Sequence, residues 1–414
     1  METEDIITKL KKYAKHPLFS GSMIMIVGSN SANFMAYLYH VIIGRALGPV
    51  DYGELAAILS IMTIILAFFN FLGIVVVKFV STSDKEELHN LYHWLSKFAL
   101  ISSVIITVAL IVLTPFLSKF LHLRIKILLP LIPIVIFGIY SFVYRSILQG
   151  LLKFKEFVLS LNGDIFSRVL FGIIFVYLGW STFGAVAAIA IAFFVAFLIA
   201  KLSLGNYAAK SGKFTRQHEM LVFTLPVMVS SIAVNSLLST DVLLAKHFLE
   251  PHTAGIYASL ATLGKIIFYG AGPISWVMFP LIAKSEKGNR NYRKIFLLSF
   301  ILTLIVTVVV SLIYFLFPDL SIRLLYGKEF IEGKNYLIYF GIYMTLFTLA
   351  SLFMNYFLSR NKTKVVYLAL LSALIQFVGI WFYHHNIISI ITVSIIAIIL
   401  FLLSVIIYYL IDKD

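Results

Sequence analysis

Hydrophobic and polar positions alternate along this chain on the scale of whole helices. Apolar runs of about twenty residues or more, the length that crosses a bilayer as a helix, are separated by short stretches that hold most of the charges, glycines and prolines. Reading each run as one helix predicts twelve membrane-spanning helices. Spans 1 to 12 cover residues 21–46, 53–80, 94–118, 125–148, 157–179, 182–204, 219–246, 255–283, 294–318, 333–358, 363–383 and 387–411.

The composition supports this interpretation. Of the 414 residues, 61% are hydrophobic and 13% are charged, which is more apolar material than a water-soluble core can bury. No connection between spans exceeds about twenty residues, so there is no room for a soluble catalytic or nucleotide-binding domain. Because the chain has no cysteine, disulfides, zinc–thiolate sites and thiol catalysis are excluded. We therefore expect a membrane protein that is not an enzyme.

The formal net charge of +14 is explained by membrane topology before any nucleic-acid partner is needed. If the N-terminus is cytoplasmic, 23 of the 33 lysines and arginines lie on the cytoplasmic side, including Arg145 at the end of span 4, and 8 lie outside. This asymmetry predicts a multi-pass protein of the cell membrane with both termini in the cytoplasm. Arg168 and Lys265 fit neither count, because they lie within spans.

The two halves of the chain repeat one another. Residues 40–47 match residues 241–248 in their polar, apolar and basic pattern, Gly53 matches Gly255, and Pro115 matches Pro318, at offsets of 201 to 203. Six spans per repeat makes the repeats parallel. We predict an all-α polytopic fold with two six-helix lobes around a central cavity. The N-lobe covers residues 1–210, with a basic amphipathic segment before span 1, and the C-lobe covers residues 211–414.

Span 1 carries a polar stripe. Asn30, Asn33, Tyr37 and His40 fall within an arc of about 100° on the helical wheel, on an otherwise apolar helix. Interhelical hydrogen bonds could explain such a stripe. The number of polar positions favours the alternative, a face that lines a cavity.

Lys265 lies roughly 15 Å from the outer end of span 8, close to the bilayer midplane. Tyr269 and Trp276 share its face, within about 60° on the wheel. One interpretation is a structural lysine paired with a carboxylate on a neighbouring span. The preferred one is an anion-binding position, because a cation at this depth needs a partner or a role.

The remaining polar groups near or inside the membrane leave alternatives open. Asp164 and Arg168 are one turn apart on span 5 and could neutralise one another or line a cavity. Arg45 closes span 1 and could anchor the outer interface or contact a substrate. Asp241 stands where His40 stands in the first repeat, and both are candidates for proton or cation coupling. No residue pattern indicates a bound metal or an organic cofactor.

Three motifs identify a resemblance. Gly-Arg-Ala-Leu-Gly-Pro-Val-Asp-Tyr-Gly, residues 44–53, resembles the signature that joins spans 1 and 2 in polysaccharide-transport flippases. These form the Wzx-like branch of the multidrug/oligosaccharidyl-lipid/polysaccharide (MOP) exporter superfamily. Residues 149–154 and 325–330 are similar to a cytoplasmic link and an outer loop of the same family. The resemblance covers essentially the whole chain.

This resemblance implies a flippase that moves a polyprenyl-pyrophosphate-linked oligosaccharide from the inner to the outer leaflet by alternating access, for cell-surface polysaccharide biosynthesis. Its partners would be the lipid-linked oligosaccharide and membrane lipids, with a polymerase and glycosyltransferases acting beside it. Coupling to H⁺ or Na⁺ would need no cofactor. The expected substrate-binding residues are Lys265, Arg168, Asn30, Asn33, Tyr37, Tyr269, Trp276 and Arg45, and the expected coupling residues are Asp241, Asp164 and His40.

Two other functions remain open at this stage. A multidrug exporter of the same superfamily would favour acidic groups to hold cationic drugs, and Asp241 and Asp164 keep that alternative open. A membrane-embedded glycan polymerase would need a large outer loop with catalytic groups, and the outer connections are too short for one.

Overall fold

The structure is a computed structural model that describes residues 17–205, 214–286, 292–360 and 362–411. Every regular element in these ranges is a helix, and the described residues contain no strand. The amphipathic N-terminal segment predicted before span 1 and most of the connection between the predicted lobes lie outside the described residues.

The described residues of the first half form six helices, one of them broken. A glycine and a proline break α1, because Gly48 takes a φ of 70° and Pro49 follows it; the break separates spans 1 and 2. A π-helical turn, Val176–Trp180, joins α5 to α6. The helices are α1 (Pro17–Thr82), α2 (Lys85–Phe120), the short α3 (Ile125–Leu128), α4 (Leu131–Gly150), α5 (Phe154–Phe175) and α6 (Ser181–Leu204).

The described residues of the second half form six long helices and one short helix. A short helix and a 3₁₀ helix, Lys328–Tyr336, form the connection before α11. The helices are α7 (Gln217–Phe248), α8 (Pro251–Glu286), α9 (Tyr292–Leu316), the short α10 (Pro318–Leu325), α11 (Leu337–Ser359), α12 (Val365–Phe382) and α13 (Ile387–Ile411).

Each of the twelve predicted intervals is occupied by helix, so the all-α membrane fold class is confirmed. By length and hydropathy, nine stretches of the described residues can cross a membrane. Two of these, Val27–Ala67 and Phe154–Leu204, each run across two predicted spans. The number of helices that cross the membrane therefore stays a prediction. Apolar side chains along the outer faces of α2 and α9, such as Ile105, Val112 and Ile305, are exposed, as expected for contact with lipid.

Two compact units can be distinguished within the chain. The first comprises Met1–Ile43, Phe69–Ser118 and Arg124–Thr224, and the second comprises Gly44–Phe68, Lys119–Leu123 and Leu225–Asp414. The signature residues 44–53 thus pack with the second half of the chain. The division into lobes at residue 210 stays a prediction, because it rests on the sequence repeat and not on compactness.

Each unit has its own packing style. In the first unit, α6 packs against α4 and α5 through small buried residues at helical spacing, including Ala185, Ala192 and Ala196, which allow close helix approach. In the second unit, α11 packs against α8, α9 and α13. The core there is aromatic and includes Tyr343 and Phe347, both fully buried.

Candidate functional site

A charged cluster lies inside the first unit. Asp164 on α5 forms an ion pair with Arg168 one turn later, at 2.9 Å, and a second with Arg145 of α4, at 3.1 Å. The carboxylate side chain is 4% exposed, and the Arg145 and Arg168 side chains are 11% and 16% exposed. Two guanidinium groups therefore share one carboxylate, and the cluster carries one net positive charge within stretches that are long and apolar enough to cross a membrane.

Arg145 ties three helices together. Its Nε donates a hydrogen bond to Ser160 Oγ at 2.9 Å and its Nη2 donates to the Ser160 carbonyl oxygen at 2.8 Å. Ser160 Oγ in turn donates to the carbonyl oxygen of Ala196 on α6, at 2.8 Å. Arg145 lies near the end of α4, in keeping with its predicted position at the end of span 4. The topology count gave it no part in a site, and its place inside an apolar run was the signal available in the sequence.

Arg168 retains unused hydrogen-bonding capacity. Its Nε is buried without a hydrogen-bond partner among the described residues, and its guanidinium lies 5.5 Å from the ring centre of Phe193. An arginine can donate five hydrogen bonds, and a planar guanidinium is well suited to phosphate oxygens. The cluster can therefore accept an additional anion.

The polar stripe of span 1 lies on the surface of the first unit. Asn30 and Asn33 are exposed and Tyr37 and His40 are partly exposed, whereas Tyr39 on the opposite side of the helix is buried. Tyr39 donates a hydrogen bond to the Ala185 carbonyl oxygen at 3.2 Å. The helix therefore uses its apolar face for packing within the unit, and the stripe remains outside that core.

In the second unit the structure brings together two residues to which the sequence gave separate roles. Asp241 on α7 is buried and accepts a hydrogen bond from the Tyr257 hydroxyl of α8 at 2.9 Å. Lys265, two turns beyond Tyr257 on α8, interacts electrostatically with Asp241. Lys265 is therefore within electrostatic range of a carboxylate on a neighbouring helix.

A buried polar network on other helices of the second unit went unnoticed in the sequence. The Gln376 amide of α12 donates to the Tyr343 hydroxyl at 3.1 Å and to Ser394 Oγ of α13 at 3.0 Å. Tyr343 donates to the Leu237 carbonyl oxygen, one turn before Asp241, at 2.6 Å. A glutamine in the middle of a predicted span was the available signal.

Arg45 is engaged at the end of a helix. Its guanidinium donates to the carbonyl oxygens of Arg323, at 3.1 Å, and Leu324, which lie in the last turn of α10, where a cation is favourable. This contact favours the anchoring alternative.

The two aromatic residues predicted on the face of Lys265 both lie in α8. Tyr269 is 65% exposed, and the side chain of Trp276 lies outside the described part of the structure.

The signature residues 44–53 contact the outer-loop motif at residues 325–330. The Tyr52 and Tyr326 hydroxyls share a hydrogen bond of 2.8 Å, and Tyr52 also donates to Thr262 Oγ1 at 3.1 Å. The repeat-related glycines touch, because a Cβ on Gly53 would lie 3.0 Å from the Gly255 Cα. Two motifs that are far apart in the chain therefore form one packed junction on the second unit.

Charge pairing accompanies this junction. Lys246, the repeat counterpart of Arg45, is buried and interacts electrostatically with Glu54 and Asp51. Among the described residues, no group of three or more His, Asp or Glu side chains is arranged to hold a metal ion.

Comparison with solved structures defines the class. An inward-facing multidrug resistance MATE family transporter of the MOP superfamily has a TM-score of 0.76 at 17% identity, over 91% of this chain and 92% of that one. The lipid II flippase MurJ, in an inward closed conformation, has a TM-score of 0.74 at 14% identity, over 94% of this chain and 87% of that one. The protein thus has the fold of the MOP superfamily of transporters and flippases.

A third structure, a MOP superfamily transporter from Pyrococcus furiosus Vc1 described as having a binding pocket of reversed polarity, has a TM-score of 0.66 at 19% identity, over 95% of each chain. The comparison with curated proteins finds no match. The chain itself belongs to the polysaccharide biosynthesis protein family, which matches residues 18–286. The resemblance seen in the sequence is thereby confirmed, and the protein is a multi-pass membrane protein of this family with the fold of MOP-superfamily transporters.

Proposed function

We propose that the protein flips a polyprenyl-pyrophosphate-linked oligosaccharide from the cytoplasmic to the outer leaflet of the cell membrane by alternating access. The observation that carries this proposal is the cluster of Arg145, Asp164 and Arg168, whose net positive charge is held at membrane depth. A charge there is costly unless it has a function, and pyrophosphate is the anion that such a lipid-linked sugar presents. Membership of a polysaccharide biosynthesis family supports the same substrate class.

The other expected residues have complementary roles in this proposal. Lys265 and Arg168 bind phosphate oxygens, while the exposed Asn30 and Asn33, with Tyr37 and Tyr269, offer hydrogen bonds and ring faces to sugars. We also assign Trp276 to sugar binding. Arg45 contributes mainly by fixing the end of α10.

Ion coupling is the second part of the proposal. Asp241 is buried, and its Oδ1 has no hydrogen-bond partner among the described residues, as suits a group that takes up a proton or Na⁺. Because Lys265 interacts with Asp241, an anionic headgroup on Lys265 would compete with that carboxylate. Substrate binding and ion uptake would then act on one pair of charges. Asp164 and His40 remain secondary candidates.

A multidrug exporter is the competing function, since a MATE family transporter shares the fold. A site for cationic drugs would carry net negative charge, and the first-unit cluster carries the opposite sign. A glycan polymerase is disfavoured by the short connection before α11, which consists of α10 and a 3₁₀ helix. Polymerase and glycosyltransferases are proposed as partners that act before and after flipping.

Flipping of a fluorescent polyprenyl-pyrophosphate-linked oligosaccharide in proteoliposomes tests the proposal. Arg168→Gln leaves Arg145 and Asp164 as a neutral pair. Its flipping rate is expected to fall by about tenfold or more, because a hydrogen bond to a charged group contributes roughly 1.5–3 kcal/mol. Lys265→Gln should also slow flipping. The same assay with an imposed H⁺ or Na⁺ gradient tests coupling, whose stimulation Asp241→Asn should abolish.

Lys294→Gln is the matched control for charge, because Lys294 is exposed at the start of α9. It removes one positive charge and should leave the rate unchanged. A folded Arg168→Gln protein that flips at the normal rate would contradict the cationic-site proposal. Gradient-driven export of a cationic drug by the wild type, without flipping of the lipid-linked sugar, would support the multidrug alternative.

A further inference from the structure

A polar cavity in the second unit lies beside α8 and has no role in the site described above. It is an open cleft, and its volume of about 340 Å³ includes the space outside its mouth. Residues of α8, α9 and α11 line it. The side chains that matter here are Phe268, Ser275, Thr303, Thr348, Ser351 and Asn355.

Two buried hydroxyls of the cavity wall lack a hydrogen-bond partner among the described residues. Thr303 and Ser351 are 1% and 6% exposed, and neither hydroxyl has a hydrogen-bond partner among the described residues. Buried hydroxyls are almost always hydrogen-bonded, because an unpaired one loses its interaction with water without replacement. These two hydroxyls therefore have capacity for a hydrogen-bond partner that the described residues do not supply.

The rest of the wall is polar and uncharged. Asn355 donates from its amide nitrogen to Ser275 Oγ at 2.9 Å, which fixes the orientation of both side chains. Phe268 contributes an aromatic ring. None of the described lining residues is ionisable, so the described wall offers neither the carboxylates that a cation prefers nor the basic groups that a phosphate prefers.

The cavity also lies close to the proposed phosphate-binding lysine. Phe268 and Gly272 follow Lys265 by three and seven residues on α8, so they share one side of that helix. At 1.5 Å per residue, Gly272 is about 10 Å from Lys265 along the helix axis. A headgroup held by its phosphates at Lys265 would have its sugars within reach of this wall.

We propose that the cavity is a carbohydrate subsite that receives the hydroxyl edge of one uncharged sugar of the lipid-linked oligosaccharide. Thr303 and Ser351 hydrogen-bond sugar hydroxyls, Asn355 orients the ring and Phe268 packs against it. This inference rests on the proposed function and extends it, because it separates recognition of the glycan from recognition of the pyrophosphate.

The test uses the double variant Thr303→Val with Ser351→Ala, which removes both hydroxyls with little change in shape. Binding to the detergent-solubilised protein is measured by tryptophan fluorescence with two ligands, the polyprenyl-pyrophosphate-linked oligosaccharide and bare polyprenyl pyrophosphate. The variant should bind the glycan-bearing ligand about five- to tenfold more weakly, the loss of two ordinary hydrogen bonds. Its affinity for bare polyprenyl pyrophosphate should not change.

Thr307→Val is the matched control. Thr307 lies one turn beyond Thr303 on α9, and its hydroxyl already donates to the Leu304 carbonyl oxygen at 3.1 Å. This variant should bind both ligands as the wild type does. Unchanged affinity of the double variant for both ligands, or an equal loss for both, would overturn the subsite.

The outcomes separate this inference from the function on which it rests. Wild-type protein that binds neither ligand would overturn both. If the wild type binds both ligands and the double variant binds them with the same affinities, the subsite alone would be overturned. A loss that depends on Na⁺ concentration and not on the glycan would also overturn it, because the hydroxyls would then be cation ligands.

Discussion

At the scale of single residues, Asp164 is a buried carboxylate of the first unit that pairs with two arginines. It is the shared partner of Arg145 and Arg168, and the surrounding helices leave little water to replace it. The spacing of Asp164 and Arg168 was sufficient to predict their pair, because i and i+4 are neighbours on any helix. The contribution of Arg145 depends on how α4 packs against α5, which no local pattern reveals.

Asp164→Asn is expected to destabilise the protein strongly. The change keeps the size of the side chain but leaves two buried guanidinium groups without a counter-charge, and breaking a buried pair in this way typically costs about 3–5 kcal/mol. The free energy of unfolding in detergent micelles is the measurement. Combining the change with Arg145→Met should restore part of the loss.

Asp319→Asn provides the comparison for that prediction. Asp319 pairs with Lys334 at 3.5 Å, but its side chain is 49% exposed, and a surface pair contributes about 1 kcal/mol or less. Equal effects of the two substitutions would show that the Asp164 cluster is not desolvated.

At the scale of elements, helix positions followed from the apolar runs, while irregular joints did not. Span 4 was predicted as one helix over residues 125–148, yet the chain forms α3 and α4 on either side of Pro130. Proline lacks the backbone N–H that a continuous helix needs. Residues 333–336 were predicted as the start of span 10 and form the end of a 3₁₀ helix, because the packed outer junction constrains them.

The start of α8 shows why a glycine is needed at one of the repeat positions. A Cβ on Gly255 would lie 1.7 Å from the Pro49 carbonyl oxygen, and a backbone atom cannot rotate away as a side chain can. Gly255→Ala should therefore lower the free energy of unfolding by about 1–3 kcal/mol, the usual range for overpacking. Thermal unfolding in detergent measures the effect.

Gly270→Ala on the same helix is the control, since nothing lies within 4 Å of its added Cβ. Alanine is a better helix former than glycine by about 1 kcal/mol, so this change should be neutral or stabilising. If both alanine variants changed the free energy of unfolding equally, the close approach of Gly255 and Pro49 would not contribute to stability.

At the scale of the whole molecule, the asymmetry of basic residues predicts the orientation in the membrane. The absence of cysteine makes that prediction easy to test with single cysteines. Thr363→Cys, between α11 and α12, should react with a membrane-impermeant maleimide only after the cells are permeabilised. His385→Cys, between α12 and α13, should react in intact cells, and both positions are exposed. The reverse labelling pattern would contradict cytoplasmic termini.

The sequence by itself determined the helical membrane fold, the repeat and the family, because these depend on hydrophobic length, periodicity and short motifs that are local in the chain. Only the tertiary structure decided which charges meet. Arg145 pairs with Asp164, Lys265 interacts electrostatically with Asp241, and the motif at residues 44–53 packs on that at residues 325–330. These pairings depend on the packing of helices that are remote in sequence, and a buried charge takes its function from the partner that packing supplies.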